Sequence, residues 1–155
     1  MKDVTFRRAR PDEASLLTEI ALRGKQHWGY PSQWIAWWRP DLVVTPHYLS
    51  REWVEVAELD GVVIGFAGLS TGDDGRFLEH LWLRPEFIGR GYGRALFEAA
   101  VRLAREEGQS ELLINADPNA EAFYLRMGAA RIGQEIYELP DRVRREVPLL
   151  RYIIQ

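Results

Sequence analysis

The sequence feature that most constrains the fold is a glycine-rich turn between a predicted strand and a predicted helix. The strand ends with Leu81-Trp82-Leu83, and the turn carries Gly89, Gly91 and Gly93 directly before a helix predicted over residues 94–107. Glycine leaves backbone N–H groups unshielded, and a helix N-terminus adds unpaired donors and the positive end of the helix dipole. We therefore predict that this turn binds an anion such as a phosphate group.

Two common phosphate-binding motifs do not match the turn. A P-loop requires Lys followed by Ser or Thr after its last glycine, whereas Arg94-Ala95 follows here. A dinucleotide fingerprint requires Gly-x-Gly-x-x-Gly after the first strand of a βαβ unit, whereas these glycines are spaced by two. The strands before the turn are also predicted to be antiparallel, which disfavours the dinucleotide fold.

The order of the other elements predicts an α+β fold in one domain over residues 1–155. Asp60-Gly61 separates two apolar runs and is typical of a type I′ hairpin turn. A loop is predicted over residues 71–75. Further elements are predicted from apolar spacing: strands over 4–9, 77–83, 112–116, 130–137 and 146–154, and helices over 14–22 and 120–127. We predict a central mixed, mostly antiparallel sheet of about seven strands flanked by helices.

Residues 24–50 are unusually rich in aromatic side chains. Pro31 and Pro40 are predicted to bracket a short helix within this segment. The rings belong to the hydrophobic core or form the wall of a substrate pocket, and the sequence leaves both interpretations open. They are Trp28, Tyr30, Trp34, Trp37 and Trp38.

Composition excludes several other functions. The absence of cysteine rules out disulfides, zinc–thiolate sites and a catalytic thiol, and the three histidines lie too far apart in sequence to suggest a metal site. The formal net charge of −3 gives no electrostatic case for binding nucleic acid. The longest apolar run, residues 62–69, is too short to span a bilayer, and the first residues lack the apolar stretch of a signal peptide. We therefore expect no membrane partner and a cytoplasmic location.

Two sequence blocks resemble the GNAT superfamily of acyl-CoA-dependent N-acetyltransferases. The run Ile88-Gly89-Arg90-Gly91-Tyr92-Gly93 is similar to the family signature Gln/Arg-x-x-Gly-x-Gly/Ala, and Leu81-Trp82-Leu83-Arg84-Pro85 is similar to the strand and turn before it. The run from Asp117 to Ala129 resembles the family block Asn-x-x-Ala-x-x-Phe-Tyr-x-x-x-Gly-Phe. Ile88 stands where the family usually has Gln or Arg, and Asp117 stands where Asn is common, although Asn119 follows closely.

The resemblance implies a GNAT-like fold with acetyl-CoA as cosubstrate. Backbone amides of the turn would hold the pyrophosphate, and the strand 81–83 would pair with the pantetheine arm as an added strand. A backbone N–H in that strand would polarise the thioester carbonyl. The side chains of Arg90 and Arg94 would add positive charge near the phosphates or simply be solvated. The implied cofactor-binding residues are Leu81, Trp82, Leu83, Ile88, Gly89, Arg90, Gly91, Tyr92, Gly93, Arg94, Asp117, Asn119 and Phe123.

The resemblance also implies two catalytic residues. Tyr124 stands where the family's tyrosine often donates a proton to the sulfur of CoA; it is otherwise an aromatic residue of a buried helix face. Glu79 lies two residues before Leu81, and in a regular strand it would share the face of Leu81 and point toward the reacting end of the cosubstrate. Glu79 is therefore the candidate base, acting directly or through water, while an amine that binds already neutral would need no base. His80 would point to the other face.

The leading hypothesis is an N-acetyltransferase that acts on a primary amine of a small molecule or a peptide. Transfer of another acyl group and a non-catalytic acyl-CoA sensor remain alternatives, because the motif indicates CoA rather than the reaction. The aromatic segment 24–50 favours an apolar or cationic acceptor through cation–π contact, whereas Arg142, Arg144 and Arg145 favour an acidic one. The identity of the acceptor and the formation of a homodimer stay open.

Overall fold

A computed structural model describes residues 3–70 and 77–155 of the chain. These residues form seven strands and five helices. The strands are β1 (Thr5–Arg8), β2 (Trp53–Leu59), β3 (Val62–Leu69), β4 (Leu78–Leu83), β5 (Glu111–Asn115), β6 (Ala130–Glu138) and β7 (Arg144–Ile153). The helices are α1 (Ala14–Gln26), α2 (Ser32–Leu42), α3 (Pro46–Arg51), α4 (Tyr92–Glu106) and α5 (Glu121–Met127). The loop predicted over residues 71–75 lies outside the described residues.

The strands form two antiparallel sheets that meet at one point. The first sheet has the order β1-β2-β3-β4, and the second has the order β5-β7-β6. A single parallel bridge between Phe77 and Leu113 joins the start of β4 to β5. The predicted α+β fold, with a mixed and mostly antiparallel sheet flanked by helices, is confirmed.

The β2–β3 hairpin confirms the turn predicted from sequence. Leu59 pairs with Val62, so the connection contains only Asp60 and Gly61. Their φ angles of 53° and 77° are both positive, as a type I′ turn requires. The turn sets Leu59 opposite Val62, and a β-bulge then shifts the register, so that Glu58 pairs with Val63 and Ala57 pairs with Gly65.

Helices cover both faces of the first sheet and create two hydrophobic cores. On one face, α4 buries its apolar side chains, which include Leu96, Phe97 and Ala100. On the other face, α1 buries Leu17 and Ile20 beside α2 and α3. Of the helices described, none is long and apolar enough to cross a bilayer.

The segment between α1 and β2 differs from the prediction. Helix α2 continues through Pro40, which was expected to end it, and the buried Leu42 holds its last turn against the core. Helix α3 was not predicted; its start is capped by Thr45, whose side-chain oxygen accepts a hydrogen bond of 3.0 Å from the Tyr48 backbone N–H. The continuation of α2 arises because tertiary burial outweighs local helix propensity, whereas α3 has a local start signal in Thr45 followed by Pro46.

Strand β4 contains a β-bulge, which breaks its side-chain alternation. Gly68 of β3 pairs with His80, and the next residue, Leu69, pairs with Leu78. Glu79 is therefore an extra residue with no partner in the ladder. A regular strand would have turned Leu78 and His80 to one face with Glu79 on the other, but here Leu78 joins the core under α4 and His80 contacts Phe66 of the opposite core.

The close packing of β3 on β4 leads to a stability prediction. An added Cβ at Gly65 would clash with the backbone carbonyl oxygen of Trp82, which cannot move without distorting the sheet. We expect Gly65→Ala to lower the free energy of unfolding by about 2 kcal/mol, measured by urea denaturation. Gly133→Ala is the control, because no heavy atom lies within 4 Å of its added Cβ. Equal effects of the two substitutions would contradict the described packing of β3 on β4.

Candidate active site

The glycine-rich turn adopts a conformation that suits glycine and opens the N-terminus of α4. Gly89 and Gly91 have φ angles of 82° and 89°, and Gly91 is the residue that precedes the first turn of α4. The space around an added Cβ at Gly89 is open, so backbone N–H groups there are accessible to a ligand. Gly93 serves a different purpose, because its Cβ position lies 3.2 Å from the ring of Phe123 and allows α5 to pack closely.

A cavity of about 520 Å³ begins at this turn and lies where β4 and β5 diverge. Beyond the bridge at Phe77, no described strand pairs with the outer edge of β4, so its backbone groups border this space. We call it the glycine-turn cavity. It is lined by residues 24, 25 and 28 from α1 and the segment after it, by residues 78, 79 and 81–83 from β4, and by residues 88, 89, 91, 93 and 94 from the turn and the start of α4. Residues 114–117, 119 and 120 line it from β5 and its continuation, and residues 123, 124, 126 and 127 line it from α5.

The cavity brings together most of the predicted site residues. Both predicted catalytic residues and eleven of the thirteen predicted cofactor-binding residues line it; the exceptions are Arg90 and Tyr92. Tyr92 is buried in the core with its ring 5.9 Å from that of Phe87, and the Arg90 guanidinium lies over the same Phe87 ring. These two residues therefore border the turn through their backbone rather than through their side chains.

Tyr124 is buried in α5 with its ring packed against Phe97 and Phe123. Its hydroxyl makes no hydrogen bond to another described residue, while the side chain lines the glycine-turn cavity. Burial and the nearby charge of Asp117 raise the pKa of the Tyr124 phenol above its ordinary value. The phenol therefore stays protonated near neutral pH and can donate a proton or a hydrogen bond into the cavity.

Glu79 lines the glycine-turn cavity, but not by the alternation that the sequence suggested. The expectation that it shares the face of Leu81 was wrong, because Glu79 is the extra residue of the bulge. Its carboxylate accepts a hydrogen bond of 2.9 Å from the Tyr48 hydroxyl of α3, on the side of the sheet opposite α4. Desolvation and the charge of Glu52 raise the pKa of Glu79, while the Tyr48 hydrogen bond lowers it, and the net shift is upward. A raised pKa suits a base that works near neutral pH.

His80 is held in a structural hydrogen bond beside the cavity. Its Nδ1 accepts a hydrogen bond of 3.0 Å from the indole Nε1–H of Trp82. Burial lowers the pKa of His80 to about 4, so the ring is neutral near pH 7. Because Nδ1 is already engaged, His80 is a weaker base candidate than Glu79.

A buried ion pair joins the end of α1 to the end of β5. Gly24 lets α1 approach Trp82 closely, since an added Cβ would lie 2.6 Å from the indole ring. The next residue, Lys25, then reaches Asp117 with a distance of 2.7 Å between Nζ and Oδ2. Burial alone would raise the pKa of Asp117, but the charge and hydrogen bond of Lys25 and further hydrogen bonds outweigh it and lower that pKa.

Tyr30 and Asn119 complete the cluster around Asp117. The Tyr30 hydroxyl donates to Asp117 Oδ1 at 3.0 Å and accepts from Asn119 Nδ2 at 2.9 Å. The Asn119 backbone N–H donates to Asp117 Oδ1 at 2.8 Å. Asp117 and Asn119 were predicted to bind the cofactor. In the described residues their side chains bond to each other, to Tyr30 and, for Asp117, to Lys25.

A second cavity of about 610 Å³ lies beside the first, between α2 and the second sheet. We call it the α2–β7 cavity; its walls include Trp38 and Leu42 of α2, Glu135 and Tyr137 of β6, and Arg145 and Val147 of β7. Six residues line both cavities, so the two spaces adjoin. They are Lys25, Leu78, Glu79, Trp82, Asn115 and Asp117.

Sequence reasoning missed three residues at this junction: Lys25, Tyr48 and Asn115. Lys25 meets its partner 92 residues away, and Tyr48 meets Glu79 31 residues away, so no local spacing could reveal either contact. Asn115 directly follows a buried strand run, which was a usable signal for a polar group at a sheet edge. Among the described residues, no cluster of His, Asp or Glu has a geometry suited to a metal ion.

Comparison with known proteins identifies the family. The family model described as "Acetyltransferase (GNAT) family" matches residues 15–129, about three quarters of the chain. The chain belongs to the GNAT acetyltransferase family. The match includes the glycine-rich turn, Glu79 and the block from Asp117 to Ala129.

Relatives in sequence and in structure agree with this membership. An uncharacterized N-acetyltransferase in the pepI 3′ region of Lactobacillus delbrueckii subsp. lactis is 32% identical over 95 residues, which cover 54% of this chain and 55% of the relative. The chain thus spans about half the length of that curated relative. A GCN5-related N-acetyltransferase from Rhodopseudomonas palustris superposes with a TM-score of 0.80 at 21% identity, covering 99% of this chain and 97% of the other. The PaiA N-acetyltransferase of Thermoplasma acidophilum, solved in complex with coenzyme A, superposes with a TM-score of 0.74 at 17% identity, covering 97% and 99%.

The buried ion pair leads to a second stability prediction. Lys25→Met keeps the apolar stem but leaves the partly buried Asp117 without a cation, so we expect the free energy of unfolding to fall by about 2 kcal/mol in urea denaturation. Adding Asp117→Asn to this variant should recover part of that loss. Arg23→Met on the same helix is the control, because the ion pair of Arg23 with Glu86 is exposed and is worth less than about 1 kcal/mol. Equal losses for Lys25→Met and Arg23→Met would contradict a buried pair.

Proposed function

We propose that this protein transfers an acetyl group from acetyl-CoA to a primary amine of a small molecule or peptide by direct attack. The observation that carries the proposal is the cavity that extends from the glycine-rich turn to Tyr124 and Glu79 and that adjoins the α2–β7 cavity. Family membership and the coenzyme A complex of a protein with the same fold support it. The cytoplasm, where acetyl-CoA is available to soluble enzymes, is the compartment we infer.

The chain's own groups suit each part of acetyl-CoA. The backbone N–H groups from Gly89 to Arg94 and the N-terminus of α4 would hold the pyrophosphate. The unpaired outer edge of β4 at Leu81–Leu83 would hydrogen-bond the pantetheine amides, as an added strand does. Backbone thus does most of the binding, which explains why Ile88 can replace the polar residue usual in the family. Phe123, Asp117 and Asn119 border the same space from the opposite side.

The reaction needs one proton acceptor and one proton donor. The amine nitrogen forms a bond to the thioester carbonyl carbon as the carbon–sulfur bond breaks. Glu79 takes the proton that the amine releases, directly or through water, and Tyr124 gives its proton to the departing sulfur. The raised pKa of Glu79 and the protonated state of Tyr124 fit these two roles.

The acceptor amine would enter through the α2–β7 cavity. Glu79 lines both cavities, so a base at this position is reachable from the acceptor side and from the thioester side. Substrates that approach from opposite sides can meet without crossing each other. This arrangement supports a direct transfer without an acetylated enzyme intermediate.

Acetyl-CoA binding and turnover test the proposed function. Calorimetry should detect acetyl-CoA binding, and a free-thiol assay should detect CoA release with at least one member of a panel of primary amines and lysine-containing peptides. Tyr124→Phe should lower kcat about 100-fold with acetyl-CoA binding unchanged. Tyr152→Phe is the control, because its ring also packs on Phe97 but lies outside both cavities. Binding without turnover would favour the sensor, and faster reaction with another acyl-CoA would favour a different acyl group.

The pH profile tests the role of Glu79. A base must be deprotonated to act, so the acid limb of kcat/KM should lie above the ordinary pKa range of a glutamate. Glu79→Gln should lower kcat about 100-fold or more and abolish that limb. Tyr48→Phe removes a hydrogen bond that lowers the pKa of Glu79, so it should move the limb to higher pH with kcat largely retained.

Two outcomes would contradict this assignment. An unchanged acid limb in Glu79→Gln would mean that Glu79 is not the base, and an amine that binds already neutral would then become the better explanation. A shift of the limb to lower pH in Tyr48→Phe would contradict the sign of the hydrogen-bond effect.

A further inference from the structure

The aromatic residues near the α2–β7 cavity are already paired with the protein's own cations. The Lys25 Nζ lies 4.4 Å from the centroid of the Trp38 ring. The Arg145 guanidinium carbon lies 4.9 Å from the Tyr30 ring, 5.1 Å from the Trp38 ring and 5.9 Å from the Trp34 ring. An incoming cation would have to compete with Lys25 and Arg145 for these rings. The aromatic content of residues 24–50 is therefore no argument for a cationic acceptor.

The two cations differ in how their charge is balanced. Lys25 has a buried carboxylate partner in Asp117 at 2.7 Å. Arg145 has no carboxylate within ion-pair distance among the described residues, and its Nη2 donates a hydrogen bond of 3.2 Å to the neutral hydroxyl of Tyr30. The Arg145 Nε is buried and has no hydrogen-bond partner in the described part of the chain. A buried donor without an acceptor destabilises the site until one arrives.

The carboxylates of the same cavity do not create an equal demand for a cation. Asp41 and Glu135 line the cavity, but both are exposed to water, which solvates them at little cost. Glu79 already accepts a hydrogen bond from Tyr48, and Asp117 is neutralised by Lys25. Among the described residues, Arg145 is therefore the charged group of this cavity that still lacks a partner of opposite charge. A bound anion would supply both the negative charge and a hydrogen-bond acceptor for its guanidinium.

We propose that the acceptor is an amino-carboxylate whose carboxylate binds Arg145 and whose amine reaches Glu79. This inference rests on the proposed function, since Glu79 and Arg145 line one cavity that adjoins the glycine-turn cavity. The planar guanidinium presents Nε and Nη2 as a fork that fits a carboxylate in two parallel hydrogen bonds. Nε is covered in the described conformation, so a small turn of the Arg145 side chain accompanies binding.

The apolar wall between the two charged ends defines the rest of the acceptor. Trp38, Leu42 and Val147 line the same cavity as Glu79 and Arg145. An acceptor with an apolar body between or beside its amine and carboxylate would bury that body there. Aliphatic and aromatic amino acids have this chemistry, whereas a diamine or polyamine would bring a second cation toward Arg145.

Matched acceptors test the carboxylate requirement. L-Phenylalanine, L-phenylalaninamide and phenethylamine share one ring and one amine, as L-leucine, L-leucinamide and isopentylamine share one alkyl group and one amine. We expect kcat/KM for the acid to exceed that for its amide by about tenfold to hundredfold, as a charge-assisted pair implies. The amide has the less basic amine and therefore more of the reactive neutral form, so amine basicity alone would give the opposite order.

Variants of Arg145 test which residue produces this preference. Arg145→Gln should bring the acid-to-amide ratio of kcat/KM close to one, and Arg145→Lys, which keeps the charge but loses the fork, should give an intermediate ratio. Arg144→Gln is the matched control, because Arg144 is the neighbouring residue of β7, is exposed and lies outside the cavity. The ratio is measured within one variant, so a general loss of stability does not alter it, and acetyl-CoA affinity reports whether each variant remains folded.

A binding measurement covers the case in which no member of the panel is turned over. N-acetyl-L-phenylalanine and N-acetyl-L-phenylalaninamide are titrated into the protein with CoA present, and only the acid should bind, in an Arg145-dependent manner. Equal use of acids and amides, an unchanged ratio in Arg145→Gln, or no carboxylate-dependent binding overturns the inference while leaving acetyl transfer intact. Loss of acetyl-CoA binding by the wild-type protein would count against the proposed function instead.

Discussion

Within residues 3–70 and 77–155, β4 and β5 are bridged only between Phe77 and Leu113, and the site depends on this limited pairing. If the ladder continued beyond Phe77 and Leu113, the two sheets would form one surface and no space would remain between them. Their divergence leaves backbone donors and acceptors of β4 without strand partners, which is unfavourable unless water or a ligand pairs with them. The same divergence gives α4 and α5 room to direct the glycine-rich turn and Tyr124 into one cavity.

Charge pairing connects the elements around this opening. Asp117, at the end of β5, receives hydrogen bonds from Lys25 of α1 and from Tyr30 of the α1–α2 connection, and Tyr30 in turn accepts from Arg145 of β7. Three parts of the chain that are distant in sequence are thus held by one hydroxyl and one carboxylate. Lys25 pairs directly with Asp117, whereas Arg145 reaches this carboxylate only through the neutral hydroxyl of Tyr30.

The sequence predicted those features that local chemistry determines. The Asp60-Gly61 turn and the strand–turn–helix arrangement at Gly89–Gly93 both depend on residues close together in the chain. Two linked family blocks, rather than the glycines alone, extended the prediction from a generic phosphate group to acetyl-CoA. The continuation of α2 through Pro40 was missed because burial of residues such as Leu42 stabilises a helix that propensity disfavours, whereas α3 was missed despite its local start signal in Thr45 and Pro46.

The candidate site was predictable in its composition but not in its contacts. Residues that reach the cavity through a motif, such as Gly91 and Tyr124, were found, whereas Lys25, Tyr48 and Asn115 have no motif. The carboxylate of Glu79 was expected on the wrong face because a one-residue bulge cannot be recognised from side-chain alternation alone. The aromatic residues had suggested a cationic acceptor and the arginines an acidic one, because both suggestions came from counting residue types. In the structure the Arg145 guanidinium lies over the rings of Tyr30 and Trp38, which explains why both residue types occur together.

The bulge at Glu79 separates the proposed catalytic side chain of β4 from the neighbouring side chains that pack in the two hydrophobic cores. Its neighbours Leu78 and His80 belong to the packed interior on either side of the sheet, so replacing them would disturb a core. Glu79 belongs to neither core and contributes nothing to the strand ladder. In the course of evolution, residue 79 can therefore be replaced without disturbing either hydrophobic core or the strand ladder. Such a replacement would change the group available for proton transfer where the two cavities adjoin. Such a position can accumulate functional variation at a low risk of misfolding.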